Sequence, residues 1–161
     1  MHCKSLPHPS TIQKWYLTVN AGPGFTQEAF DALKNKADRN PIVNLTVDEM
    51  AIREHLHWSG KRFCGYVDMG MSSEDANFDN SELAKNALVF MATAINEHWK
   101  VPVGYFLING LNADERANLV NKCLHLLNEV GVKCHSLTFD GAAVNISIRY
   151  YGVIKKDCLS W

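Results

Sequence analysis

The chain has 161 residues, enough for one domain with a hydrophobic core, and its 47% hydrophobic and 20% charged residues mark a globular sequence. Sixteen basic against 17 acidic residues leave a formal net charge of −1, so overall charge gives no support for a nucleic-acid partner and any basic surface must be local. The longest strongly apolar stretch, residues 87–95, is far shorter than a bilayer span, and the N-terminus carries no apolar signal-peptide centre, so no membrane partner is expected.

Residues 1–41 read as a helical lead-in punctuated by Pro7, Pro9, Gly22, Pro23 and Gly24. One short helix follows Ser10 as N-cap and carries Ile12, Trp15, Tyr16 and Val19 at helical spacing. A second follows Thr26 as N-cap, with Phe30 and Leu33 on one side, and Asp38-Arg39-Asn40-Pro41 breaks the chain after it. Strands are then expected over residues 43–52 and, after a Ser59-Gly60 turn, over residues 61–68. Residues 71–80 are polar and read as an exposed loop. Residues 87–95 and 101–108 read as two more strands, with Pro102 near the start of its strand, where a missing donor is tolerated. Leu83, Ala87, Phe90, Met91 and Ala94 also fit a helical face; the Val, Phe, Thr and Ile content tilts the reading toward strand.

The strongest helix signal covers residues 113–130. Asn112 caps it, Asp114 and Glu115 complement the positive end of its dipole, and Gly131 ends it. Ala113, Ala117, Val120, Leu124 and Leu127 form the expected buried stripe. A strand over residues 133–139 follows, and Gly141 to Asn145 opens what reads as another helix, although Ile146, Ile148, Tyr150 and Val153 also alternate like a strand.

The five cysteines are widely spaced and contain no CxxC pair, which argues against a structural zinc site and for a reducing intracellular compartment; Cys123 and Cys134 read as buried free thiols. His55 and His57 form the one close histidine pair, better read as polar residues near a hairpin turn than as metal ligands.

Two aspartates carry most of the functional information. Residues 41–48 and 133–140 each end in Thr, an apolar residue and Asp, so Asp48 shares a strand face with Thr46 and Asp140 with Thr138. If the two strands are parallel neighbours, both carboxylates meet beyond their C-terminal ends, where open α/β sheets place their chemistry. Such a pair suits an oxygen-preferring divalent cation such as Mg²⁺. Strands followed by a long helix and a further strand are the order in which an RNase H-like mixed sheet is assembled: antiparallel strands, then a helix crossover to a parallel strand.

Specific stretches resemble the P-element-like transposases, including the THAP-domain transposases. Leu45-Thr46-Val47-Asp48-Glu49-Met50 resembles their first catalytic strand, and Gly65-Tyr66-Val67-Asp68-Met69-Gly70 the strand after it. Ala87-Leu88-Val89-Phe90-Met91 with Trp99-Lys100-Val101-Pro102-Val103-Gly104-Tyr105-Phe106-Leu107 resembles the middle block. Leu137-Thr138-Phe139-Asp140-Gly141 with Asn145 resembles the second catalytic block, and Leu6-Pro7-His8-Pro9-Ser10-Thr11-Ile12 with Lys14-Trp15-Tyr16 the segment ahead of the domain. The blocks stand in the family's order along nearly the whole chain.

The resemblance implies an α/β fold in which residues 1–41 lead into residues 42–161, the N-terminal and incomplete portion of an RNase H-like catalytic domain. It implies DNA cleavage and strand transfer at transposon ends, with three acidic residues holding two Mg²⁺ ions (or Mn²⁺), one activating the attacking water or 3′-hydroxyl and one stabilising the leaving oxygen. Asp48 matches the first acid and Asp140 the second, as catalytic residues and metal ligands. The family's third acid lies downstream of an inserted GTP-binding domain, so GTP belongs to the full-length family and is not expected here. Asp157, the one acid after Asp140, has no counterpart in the pattern. The isolated chain is therefore expected to be catalytically incompetent. The alternative is a non-catalytic, domesticated or truncated transposase remnant acting as an interaction or regulatory domain. A nuclear location and DNA as partner follow from the family, and homo-oligomerisation is compatible with it.

The other singled-out residues have plainer readings. Glu49 faces away from Asp48 and suits a salt bridge or an exposed role; Asp68 suits a turn. Asn145 and Gly141 suit local backbone geometry, Trp15 and Trp99 suit packing, and Lys61-Arg62 and Lys155-Lys156 suit solvated surface.

Overall fold

The computed structural model describes residues 8–10, 22–58, 60, 63–70 and 82–139. The expected helix after Ser10, the loop at 71–80, Lys61, Arg62, and everything from Asp140 onward, including Gly141, Asn145 and Asp157, lie outside the described residues.

The described chain runs β1 (Gly24–Phe25), α1 (Gln27–Lys34), a 3-10 turn (Ala37–Arg39), β2 (Ile42–Ala51), β3 (His57–Trp58), β4 (Phe63–Cys64), β5 (Asn86–Ala94), β6 (Lys100–Ile108), α2 (Ala113–Glu129) and β7 (Lys133–Phe139). Among these residues a five-stranded sheet has the order β1-β6-β5-β2-β7, and β3-β4 is a separate hairpin. β1–β6, β6–β5 and β5–β2 are antiparallel, whereas β2–β7 is parallel. The helix α2 makes the crossover from β6 to β7, as a parallel partner requires. This is the mixed α/β sheet that the element order predicts.

One face of the sheet is dry. Val43, Leu45 and Val47 of β2 alternate into a core with Leu88, Phe90 and Ala92 of β5 and Val103, Phe106 and Ile108 of β6. That period of two settles residues 86–94 as strand and removes the helical option. From α1, Phe30 and Leu33 enter the same core, and Phe25 of β1 makes edge-on ring contacts with Phe30, Phe90 and Phe106 at centroid distances of 6.2, 5.3 and 5.0 Å. The β1 strand is an element that the sequence reading does not contain; two residues are too few for a periodic signal. Thr26 has the extended backbone of an N-cap, without a side-chain cap bond.

At the start of α2, Asn112 and Glu115 form reciprocal caps: the Glu115 N–H donates to Asn112 Oδ1, and the Asn112 N–H to the Glu115 carboxylate, both at 2.9 Å. Gly131, with φ +77°, turns the chain after the helix. The buried stripe differs from the expected one. Arg116, Ala117, Val120, Cys123 and Leu127 are buried, whereas Leu124 is half-buried. Successive residues rotate by about 100° around a helix, and the stripe centres on the 116–120–123–127 row, which leaves Leu124 at its flank. Burial pushes the Cys123 thiol far above its ordinary range, with neighbouring Cys134 adding to the effect, so it behaves as a small apolar side chain; Cys134, expected to be buried as well, is half-buried at the edge strand, and neither is in a disulfide among the described residues.

Of the expected strand over residues 61–68, the described residues 63–68 form the short strand Phe63–Cys64 plus single bridges from Tyr66 to Leu83 and from Asp68 to Leu107. Gly65, at φ +119°, breaks the extended run and redirects it from β3 toward β6. No described helix is long and apolar enough to cross a membrane.

Candidate metal site on the strand beside the parallel edge

The pairing of β2 with β7 builds the site. It starts with Ile42–Lys133 and Val43–Cys134, then shifts, so that Asn44 pairs with Ser136, Leu45 with Leu137, Thr46 with Thr138 and Val47 with Phe139. His135 is the extra residue of this bulge. Without it, each later β7 side chain would move to the opposite face relative to its β2 neighbour. With it, apolar faces apolar and polar faces polar. Ser136 Oγ and Thr138 Oγ1 both donate to Asn44 Oδ1, at 2.7 and 3.0 Å, while Asn44 Nδ2 donates to Thr46 Oγ1 at 3.0 Å.

Asp48 is the next residue on this hydroxyl- and amide-lined face. It is exposed, its Oδ1 accepts the Glu49 backbone N–H at 2.9 Å, and its Oδ2 has no hydrogen-bond partner among the described residues. A solvent-facing carboxylate with one uncommitted oxygen, beside other oxygen donors, fits a ligand for a hard cation such as Mg²⁺. It supplies one anchor: among the described residues, no group of three or more His, Cys, Asp or Glu is placed to hold a metal ion. Asp140 follows Phe139 directly and lies outside the described residues.

Glu49 points to the opposite face and is ion-paired with Arg116, with side-chain exposures of 21% and 10%. Its other carboxylate oxygen accepts a bond from Asn86 Nδ2. The salt bridge expected of Glu49 is thus present and half-buried. Asp68 sits at the β6 side of the sheet, two strands from β2, and its Oδ1 accepts the Gly70 N–H at 2.9 Å in the expected turn role. His55 and His57 are exposed and belong to no described metal cluster. Trp99 is half-buried, and its indole N–H donates to Glu97 at 2.7 Å, a packing role.

Sequence reasoning did not single out Asn44, Asn86 or Arg116. Asn44 was detectable, since it shares the parity of Thr46 and Asp48. Arg116 and Asn86 carry no such signal: an Arg in a first helical turn and an Asn at a strand start are ordinary surface residues until the fold brings them to Glu49.

Antiparallel strands, a helix crossover, a parallel edge strand beside β2 and a carboxylate on β2 just past their described pairing define an RNase H-like α/β domain. A family model described as "TNP-like, RNase H N-terminal domain" matches residues 21–151, and the chain belongs to that family. It is 27% identical over 149 residues to the human DNA transposase THAP9, an alignment covering 89% of this chain and 16% of that protein. The fold is similar to a chain of the Drosophila P element transposase strand transfer complex, with a TM-score of 0.58 and 19% identity over 94% of this chain and 30% of that one. The chain therefore spans about a sixth of the length of the curated relative that it matches.

Proposed function

We propose that this chain supplies the first two carboxylates, Asp48 and Asp140, of a metal-dependent site for DNA strand cleavage and transfer. The observation that carries the reading is the β2–β7 register. It runs in parallel through Val47–Phe139, the pair directly preceding Asp48 and Asp140 in sequence, which supports the reading. Bound Mg²⁺ or Mn²⁺ would supply charge neutralisation at the attacking and leaving oxygens of a phosphodiester. The chain's own part is to hold the carboxylates: the Glu49 N–H fixes Asp48 Oδ1, and the Asn44 cluster ties β7 to β2 just before both acids. The DNA ends are the partner, in a nuclear setting. The net charge of −1 makes nonspecific attraction to phosphates weak, so contact with DNA relies on local basic surface and on the metal site.

Two carboxylates leave a two-metal site short of an anchor, so the 161 residues alone should bind the ion weakly and not cut DNA. The test is a Mn²⁺ titration of the chain with Asp48→Asn and Asp140→Asn variants, alongside a nicking assay. Weak binding lost in both variants, with no nicking, is expected. Binding indifferent to both substitutions rejects the site, and Mg²⁺-dependent cutting by the chain itself rejects its incompleteness. The second reading, a non-catalytic remnant, gains if a longer protein of this lineage with intact Asp48 and Asp140 also fails to cut.

A further inference from the structure

We infer that Glu49 and Arg116 are positioning residues for Asp48: their ion pair, on the opposite face of the sheet, fixes the end of β2 from which the Asp48 carboxylate projects. The inference rests on the reading of Asp48 as a metal ligand.

On one edge β2 stays paired with β5 past Asp48, through Ala51. On the other edge the pairing with β7 is described through Val47–Phe139, and the N–H of Glu49, two residues on, donates to Asp48 Oδ1 at 2.9 Å. The orientation of the carboxylate therefore depends on the placement of the Glu49 backbone. The β5 ladder, which pairs Glu49 with Leu88, carries that backbone, and the Glu49 side chain adds a second tie. One Glu49 carboxylate oxygen accepts from Arg116, in the first turn of α2, and the other from Asn86, the first residue of β5. Three elements are thus tied at one carboxylate, directly adjacent in sequence to Asp48. The start of α2 is itself fixed by the Asn112–Glu115 reciprocal cap, so Arg116 projects from a firm base.

A partly buried ion pair is a poor device for stability, because desolvation offsets much of its attraction. An apolar pair at this position would seal the core equally well. What the ion pair adds is direction, since charge-assisted hydrogen bonds fix both partners in a narrow range of geometries. Partners that orient a metal ligand typically affect affinity about 10- to 100-fold.

The test uses Mn²⁺ as probe on the isotopically labelled full chain and follows paramagnetic broadening of the amides of residues 47–49, with unfolding curves recorded in parallel. Glu49→Gln and Arg116→Met should each weaken Mn²⁺ binding about 10-fold or more at a temperature where both remain folded. In metal-free protein, the residue-49 amide should exchange with solvent faster in both variants, while core amides such as that of Leu45 stay protected. Simple electrostatics predicts opposite signs: removing the acid weakens cation binding, and removing the base strengthens it. Arg116→Lys should restore part of the loss. Tighter Mn²⁺ binding in Arg116→Met, or unchanged affinity with lowered stability in both variants, would overturn the positioning role while leaving Asp48 as a ligand. Binding unaffected by Asp48→Asn, or no broadening at residues 47–49 of the unaltered chain, would overturn the underlying site and this inference with it.

Discussion

The two faces of β2 are built from the same ten residues and do opposite work. On the helix side, Val43, Leu45 and Val47 are buried against β5, β6 and α2. On the other side, Asn44 and Thr46 are half-buried in a hydrogen-bonded cluster with β7, and Asp48 is exposed. A strand separates its faces by alternation alone, so a stable core and a polar, ion-accepting edge can be specified in one stretch without interference. Glu49 is the exception: a charged residue on the core side, placed where the dry face ends and tied to Arg116 and Asn86. If the separation is real, substitutions should divide sharply, with large stability effects on the dry face and small ones on the polar face.

The largest expected effect lies in α2, the layer that covers the dry face. Leu127 is fully buried in the core, so Leu127→Ala should cost about 2–5 kcal/mol. Leu124 is half-buried beside the same core, and Leu124→Ala should cost less than half as much. Urea unfolding of the two variants side by side measures the difference. Equal losses would show that Leu124 belongs to the buried stripe, as the sequence alone suggests, and that the helix sits rotated from the described position.

That pair of leucines also shows what could be read before the fold was known. The succession β2, β5, β6, α2 and β7, the Asn112 cap, the Gly131 stop and the polar parity of Thr46 with Asp48 were all legible, because each depends on local periodicity or local backbone chemistry. The exact rotation of α2 was not, since Ala117, Cys123 and Leu124 are all compatible with an apolar stripe and the choice is made by sheet side chains distant in sequence. Neither was the His135 bulge. Counting back from Asp48 and Asp140 aligns Thr46 with Thr138, yet it leaves hidden the one-residue shift between Val43 and Asn44 that produces the alignment. The Glu49–Arg116 pair joins positions 67 residues apart and leaves no local trace.

A smaller effect is expected from Asn44, the junction of the polar face. Its amide oxygen accepts two hydroxyl bonds, and its amide nitrogen donates a third to Thr46. These groups are within reach of water, which replaces part of what is lost, so Asn44→Ala should cost about 1 kcal/mol rather than the sum of three bonds. Hydrogen exchange sharpens the comparison: protection should fall along Ser136 to Phe139 while the β5–β6 ladder is unchanged. A loss comparable to that of Leu127→Ala would mean that the polar face is part of the core, and the division between the faces would fail.

The smallest stability effect should come from the residue with the largest proposed role. Asp48→Asn preserves the shape of the side chain and an oxygen that can accept the Glu49 N–H, and the group is exposed. Its unfolding free energy should stay within about 0.5 kcal/mol of the unaltered chain, the range of ordinary surface substitutions. Removal of a negative charge from a strand end that already carries Glu49 could even relieve repulsion, so a slight gain would be consistent with the same picture. In the presence of Mn²⁺ the order should reverse. The unaltered chain gains stability as the ion binds its folded form, by an amount set by ion concentration over the dissociation constant, and the Asn variant gains little. Thermal unfolding with and without Mn²⁺ separates the possibilities. A marked loss of stability in Asp48→Asn without metal would assign the carboxylate a structural duty on β2, and an equal Mn²⁺-dependent gain in both proteins would place the ion elsewhere on the molecule.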